Sequence, residues 1–306
     1  MSDTRPTWLV TGATGFLGAN LGAFLDGRVR RIGTARDGVA ASPLFDDWIP
    51  ADLVRPDGLS AAIEERRPDV VVHAAAMASH ERCEADPAMA ERINAYAVGV
   101  LAHAAERAGA RFVLISTDAV FDGDRGAYSE ADAPNPGSVY GHTKLRGEVL
   151  AARATDALVV RTNFFGWSPS GTRSILEFFV NQLSAGNRVR GFTDFTTTSA
   201  YAQVLARTIW QLTESDASGL FHATSPDALT KYEFGVAVAS TFGLDAALIE
   251  PASADVQPPR GRDISLDVSK VEGLLAAPMP TQREGLSQAL ADSTALRHTI
   301  AGAPGA

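Results

Sequence analysis

The run Thr7-Trp8-Leu9-Val10-Thr11 reads as a short buried strand, and it opens without a spacer into Gly12-Ala13-Thr14-Gly15-Phe16-Leu17-Gly18. Glycines at 12, 15 and 18 strip side-chain bulk from a tight strand-to-helix turn. Backbone amides at a helix N-terminus can then approach a pyrophosphate. The turn follows the first strand and contains Thr14 and Phe16-Leu17, so Gly12, Thr14, Gly15, Phe16, Leu17 and Gly18 are the expected phosphate cradle. A chain that starts this way is expected to continue as strands and helices alternating around a parallel sheet.

The following segments keep that alternation. Val29 to Arg36 reads as a second strand, ending where dinucleotide folds read the adenosine ribose. An acidic residue at that tip favours NAD, whereas an arginine can pair with a 2′-phosphate. Arg36 stands there with Asp37 behind it, so NADP(H) is the expected cofactor and NAD(H) the alternative. Trp48 to Leu53 reads as a third strand, and Asp52, beside Leu53, is placed to accept a hydrogen bond from adenine. Leu59 to Arg67 reads as an amphipathic helix.

Asp69 to Ala76 reads as a fourth strand, apolar apart from Asp69 and His73, as a parallel strand buried on both faces should be. Its small tip, Ala74-Ala75-Ala76, would let a cofactor lie close, and His73 reads as a packed, hydrogen-bonded histidine. The loop Met77 to Glu84 follows the carboxyl end of that strand, where open α/β sheets bind ligands. Its His80, Cys83 and Glu84 match no common metal spacing. A helix is expected over Pro87 to Ala108, then a fifth strand over Arg111 to Ile115 opening into Ser116-Thr117-Asp118-Ala119-Val120-Phe121-Asp122-Gly123.

A polar, turn-rich stretch, Ser129 to Pro136, delivers the chain to Ser138-Val139-Tyr140-Gly141-His142-Thr143-Lys144. A tyrosine and a lysine four apart on a helix share one face. A phenol ordinarily titrates at about 10, and a fixed ammonium beside it favours the phenolate. Such a pair can exchange a proton with a substrate oxygen near neutral pH, and Thr117 at the preceding strand tip can bond the same oxygen. A pair at this spacing can also be a plain helix-surface contact, so the surrounding motifs decide.

The rest of the composition narrows the partners. A formal charge of −9 and a 45% hydrophobic content describe an ordinary globular chain with no general attraction for nucleic acid or an anionic membrane. Cys83 is the only cysteine, which rules out an intramolecular disulfide. The N-terminal residues lack a signal-peptide core, and no run reaches the roughly 18 apolar residues of a membrane helix. A cytoplasmic setting is the expectation.

Four motifs now stand in one order: TGATGFLG at 11–18, HAAA at 73–76, STDAVFDG at 116–123 and YGHTK at 140–144. The chain resembles the extended short-chain dehydrogenases/reductases, and among them the dTDP-4-dehydrorhamnose reductase-like branch. The likeness covers nearly the whole chain, with Asp132, Asn135-Pro136, Arg161-Thr162-Asn163 and residues 265–270 as its later landmarks. The resemblance implies an NADPH-dependent reduction of the 4-keto group of a nucleotide-linked, dTDP-type 6-deoxy sugar. It implies a triad in which Tyr140 protonates the carbonyl oxygen, Lys144 lowers the tyrosine's pKa and holds the nicotinamide ribose, and Thr117 orients the carbonyl. Asn163 is likewise assigned to the cofactor, Asn94 to a supporting relay, and Met77, Ser79 and Asp118 to the sugar. A homodimer is a further family expectation. Relatives that hold magnesium between subunits carry a glutamate just after the glycine turn; Asn20 and Leu21 stand here, so no metal is expected.

Ala157 to Thr162 reads as a sixth strand, after which Phe164, Phe165 and Trp167 are available either to stack on the substrate or to pack in the core. Helices are expected over 171–185, 199–212 and 231–242, with a late strand, Gly219 to Ala223, returning to the sheet. Pro258 to Asp263 is a Pro/Gly-rich loop in which Arg260 is the candidate for the substrate diphosphate. The expected architecture is α/β, a Rossmann-type doubly wound parallel sheet with a smaller C-terminal substrate-binding lobe. Residues 1–165 form the cofactor domain, with segments near 190–225 returning to it, and 166–306 mainly the lobe. Two alternatives stay open. One is a cofactor-retaining sugar-nucleotide epimerase or dehydratase, although Ala119 stands where a dehydratase usually has an acid. The other is a non-catalytic subunit resembling the methionine adenosyltransferase β subunit.

Overall fold

The computed structural model describes residues 4–36, 42–254 and 262–301. The first half runs β1 (Thr7–Thr11), α1 (Phe16–Phe24), β2 (Arg30–Ala35), β3 (Asp47–Pro50), α2 (Asp57–Arg66) and β4 (Val70–His73). It continues through α3 (His80–Ala85), α4 (Pro87–Glu91), α5 (Ala97–Ala108), β5 (Arg111–Thr117), α6 (Val139–Ala151) and β6 (Ala157–Thr162). Then come β7 (Phe164–Phe165), α7 (Ile175–Ser184), β8 (Val189–Phe192), β9 (Thr196–Thr198), β10 (Ala200–Tyr201) and α8 (Ala202–Glu214). The chain closes with β11 (Gly219–His222), β12 (Ala228–Thr230), α9 (Lys231–Phe242), β13 (Ile249–Ala252), α10 (Ser269–Glu272) and α11 (Gln282–Ala301).

Seven parallel strands form the central sheet in the order β11-β6-β5-β4-β1-β2-β3. The order reverses between β1 and β4, which makes the sheet doubly wound and opens a crevice at the strand carboxyl ends. Alternate residues of each strand serve opposite faces. Trp8, Val10, Val72, Val113 and Val160 join one apolar cluster with α1, α8 and α9, while Leu9, Val71, Phe112, Leu114 and Val159 join another with α2 and α5. Each fully buried side chain of this size contributes roughly 1.5–3 kcal/mol. Burial on both faces is why these strands read as continuous apolar runs rather than alternating ones. Three two-stranded pairings, β10 with β7, β12 with β9 and β13 with β8, build the later region. Among the described residues no helix is long and apolar enough to cross a membrane.

Three local expectations are corrected. The segment 77–84, expected as a loop, starts α3 at His80, because the Ser79 hydroxyl accepts the Arg82 amide at 3.2 Å and caps it. The helix expected over 87–108 is broken by a π-helical turn, Arg92–Tyr96, between α4 and α5. The third strand ends at Pro50, and Asp52 lies in the turn beyond it, where its carbonyl accepts the Arg55 amide at 3.0 Å.

Candidate active site

The glycine turn stands at the carboxyl end of β1. Gly12 has φ +66°, and a Cβ on it would meet the Ala75 backbone at 2.9 Å, so only glycine fits between β1 and the strand-tip alanines. The Thr11 hydroxyl reinforces this contact by accepting the Ala75 amide at 3.2 Å and pairing with His73 Nδ1 at 2.9 Å. His73 is buried, and burial pulls its imidazole down to about 3, so it is neutral. Gly15 caps α1 in an extended conformation with no side-chain bond to the first turn. Gly15 thus offers the first-turn amides no side-chain cap, the arrangement that suits a phosphate. Thr14, Gly15 and Phe16 are half-buried and Leu17 and Gly18 buried, and the Phe16 ring lies 4.9 Å from that of Phe164. Cofactor and substrate candidates thus meet at that ring pair.

At the outer edge, Arg36 is exposed beyond β2, while Asp37 and Arg260 lie outside the described residues. The Asp52 carboxylate accepts the Val54 amide at 3.0 Å and pairs with Arg55 at 3.3 Å, with Leu53 half-buried beside it. Ala74, Ala75 and Ala76 are half-buried along the crevice.

Tyr140 and Lys144 occupy the first turns of α6. Ser138 caps the helix by accepting the Gly141 amide at 3.2 Å. Gly141 has no Cβ to collide with the Ala119 carbonyl, which would lie 2.2 Å from it, and this lets α6 sit against the segment after β5. Tyr140 is consequently hydrogen-bonded to Thr117. The Lys144 ammonium is buried and donates to the Ile115 carbonyl at 2.7 Å. The three residues expected as a triad are brought together around β5.

Their electrostatics differ from the expectation. Burial pushes the Tyr140 phenol up to about 12, and the nearby Asp118 and Cys83 also raise it; only the Thr117 bond pulls it back. Lys144 is not among the groups that lower it; its ammonium is turned to the Ile115 carbonyl of β5. Burial in turn pulls Lys144 down to about 8, against the opposing charge of Glu148.

Asp118, expected to face the sugar, is buried instead. Its carboxylate accepts Thr117 Oγ1 at 3.0 Å, Asn163 Nδ2 at 2.7 Å and Thr197 Oγ1 at 3.0 Å. It ties β5, β6 and β9 together beneath the site, and burial raises its pKa. Asn163 in turn accepts Ser199 Oγ at 3.1 Å. Of the aromatic run, Phe165 and Trp167 are core residues, and Phe164 alone is partly open. Asn94, in the π turn, accepts the Met77 amide at 2.8 Å and donates to the Met77 carbonyl at 3.1 Å and Thr143 Oγ1 at 3.2 Å. That clamp fixes the 77–79 segment facing Tyr140. The His80 ring lies against the Tyr140 ring in a tilted contact, centroids 4.8 Å apart, a neighbour that the sequence pattern did not single out.

Residues 7–295 match the family model described as the RmlD substrate binding domain. A probable low-salt glycan biosynthesis reductase of Haloferax volcanii is 35% identical, over 91% of this chain and 95% of its own. The methionine adenosyltransferase 2 subunit beta of Mus musculus is 29% identical, over 92% of this chain and 86% of its own. The crystal structure of a hypothetical dTDP-4-dehydrorhamnose reductase from Sulfolobus tokodaii superposes with a TM-score of 0.81 at 30% identity, covering 91% of this chain and 98% of that one. With the fold, the glycine turn and the Tyr140–Lys144 helix, the chain belongs to the RmlD substrate-binding-domain family of extended short-chain dehydrogenases/reductases.

Proposed function

We propose that the protein is an NADPH-dependent ketoreductase acting on the 4-keto group of a nucleotide-linked 6-deoxy sugar. The observation that carries this reading is the convergence of Tyr140, Thr117 and Lys144 on β5, beside a glycine turn whose helix amides have no side-chain cap. The first-turn amides of α1 would hold the pyrophosphate, Ala74 to Ala76 would flank the cofactor, and Arg36 would meet the 2′-phosphate. When bound, NADPH supplies the hydride. Tyr140 donates its phenolic proton to the carbonyl oxygen, which becomes the alcohol oxygen, and Thr117 holds that oxygen and the phenol in line. Lys144, whose ammonium keeps two further protons beyond the one it gives to Ile115, would hold the nicotinamide ribose. Met77 and Ser79 line the sugar side, with Phe164 at the cofactor boundary.

The test is NADPH oxidation in the presence of a dTDP-4-keto-6-deoxy sugar. Substrate-dependent loss of NADPH is the expected result; NADPH that binds and is never consumed removes the reductase reading. The 29% identity to methionine adenosyltransferase 2 subunit beta supports a second reading, a binding subunit on the same fold. A stable complex with a methionine adenosyltransferase, in a protein with no keto-sugar turnover, is the result that would favour it.

A further inference from the structure

Three side chains form one row across the sheet directly behind the active-site tips. Ser116 on β5 pairs in register with Arg161 on β6, and Arg161 with His222 on β11. Neighbours at one level of a parallel sheet point to the same face, here the face met by α6. Glu148 of α6 reaches into that row. Its carboxylate accepts Arg161 Nε at 3.0 Å, the Arg161 terminal nitrogen at 2.7 Å and Ser116 Oγ at 2.5 Å. Ser116, Arg161, His222 and Glu148 are all buried.

A buried ion pair returns little stability beyond its desolvation cost, so stability is a weak reason for this cluster. Its position suggests another. Lys144 lies one turn before Glu148 on the same helix face, and its ammonium donates to the carbonyl of Ile115, the residue before Ser116. Lys144 and Glu148 therefore grip consecutive residues of β5.

We propose that Glu148 is a positioning residue for Lys144: clamped by Arg161 and Ser116, it fixes a negative charge one helical turn from the ammonium and holds that ammonium cationic on the Ile115 carbonyl. The proposal builds on the reading of Lys144 as part of the reductase site. The lysine's charge acts with Glu148 on its own helix and with His73 on β4; Asp118 and Cys83 act on Tyr140 one turn earlier, and Arg161 and His222 lie behind Glu148. Burial keeps His73 uncharged and lowers His222. Asp118 is committed to its three donors. Glu148 is the group whose charge opposes the fall of Lys144 towards about 8.

The chain has only Lys144, Lys231 and Lys270, so lysine side-chain NMR can follow Lys144 directly. In protein labelled at lysine Cε, the Lys144 resonance is assigned by its loss in Lys144→Met and titrated. A midpoint near 8 is expected in the wild type. In Glu148→Gln it should fall by about one pH unit or more. That variant leaves Arg161 unpaired in the core, so Glu148→Gln/Arg161→Gln, with both charges removed, serves as the second measurement and should show the same direction. Glu148→Asp keeps the charge and should restore the midpoint. The alkaline limb of kcat/KM should move with the midpoint. An unmoved midpoint in a folded Glu148→Gln or double variant, or a Glu148→Asp midpoint no higher than that of Glu148→Gln, overturns the proposal even in an active enzyme. A shifted midpoint in a protein that turns over no keto sugar upholds the positioning role and removes the reductase reading instead.

Discussion

Asn94 closes on both polar backbone atoms of Met77, accepting its amide at 2.8 Å and donating to its carbonyl at 3.1 Å. The contact joins a π turn to the segment that faces Tyr140, and both residues are buried. Asn94→Ala leaves a buried amide without an acceptor, which costs roughly 1–3 kcal/mol. Urea unfolding should show that loss, together with a raised KM for the sugar as the 77–79 segment loosens. Asn94→Asp keeps the acceptor and should recover part of the stability. Equal losses in the two variants would mean that the amide hydrogen bond is not what matters.

Tyr140→Phe removes the phenolic proton and little else, because the ring keeps its contact with His80. General acid catalysis contributes about 10²–10⁴-fold, so turnover should fall by that factor or more. NADPH affinity, measured by fluorescence titration, should stay nearly intact. A Phe variant that turns over at the wild-type rate would remove Tyr140 as the acid.

The parts of the site that were legible in the sequence are the local ones. Gly12 to Gly18 and Tyr140 to Lys144 each carry their spacing within one turn or one helix, so the chain states them directly. Asp118 shows the limit. The family resemblance assigned it to the sugar, but its partners Asn163 and Thr197 lie 45 and 79 residues away, and their burial of the carboxylate is a tertiary fact. The Tyr140–Lys144 pair shows another. Spacing of four places two side chains on one face; it does not say which way a flexible ammonium points. Lys144 points to Ile115, and burial takes the phenol upward rather than down. The π turn at Arg92–Tyr96 was hidden for a similar reason, since Asn94 turns inward to bond Met77 and Thr143 from other elements.

Arg36 is exposed at the end of β2, the edge at which this fold reads the adenosine ribose. A charge-assisted contact to a 2′-phosphate is worth about 1.5–3 kcal/mol. Arg36→Ala should therefore weaken NADPH by roughly ten- to a hundredfold and leave NADH nearly unchanged. Paired titrations of the two nucleotides check this, and equal losses would place the ribose reader elsewhere.

His73 makes acid stability a test of the sheet itself. It is buried beside Thr11 and held neutral, with its titration pulled from an ordinary 6.5 down to about 3. The folded-state value is depressed, so the unfolded chain binds a proton below 6.5 that the folded chain does not. Stability from this group is complete above 6.5 and drains away as the pH falls towards 3, at roughly 1.4 kcal/mol per pH unit. Carboxylates add their own acid dependence, so the informative quantity is the difference from His73→Asn, which cannot be protonated. Denaturant midpoints between about pH 6.5 and 4.5 should fall more steeply in the wild type than in the variant, by the equivalent of about one proton. Parallel slopes would show that His73 accepts its proton inside the fold without cost, which its burial between β1 and β4 opposes.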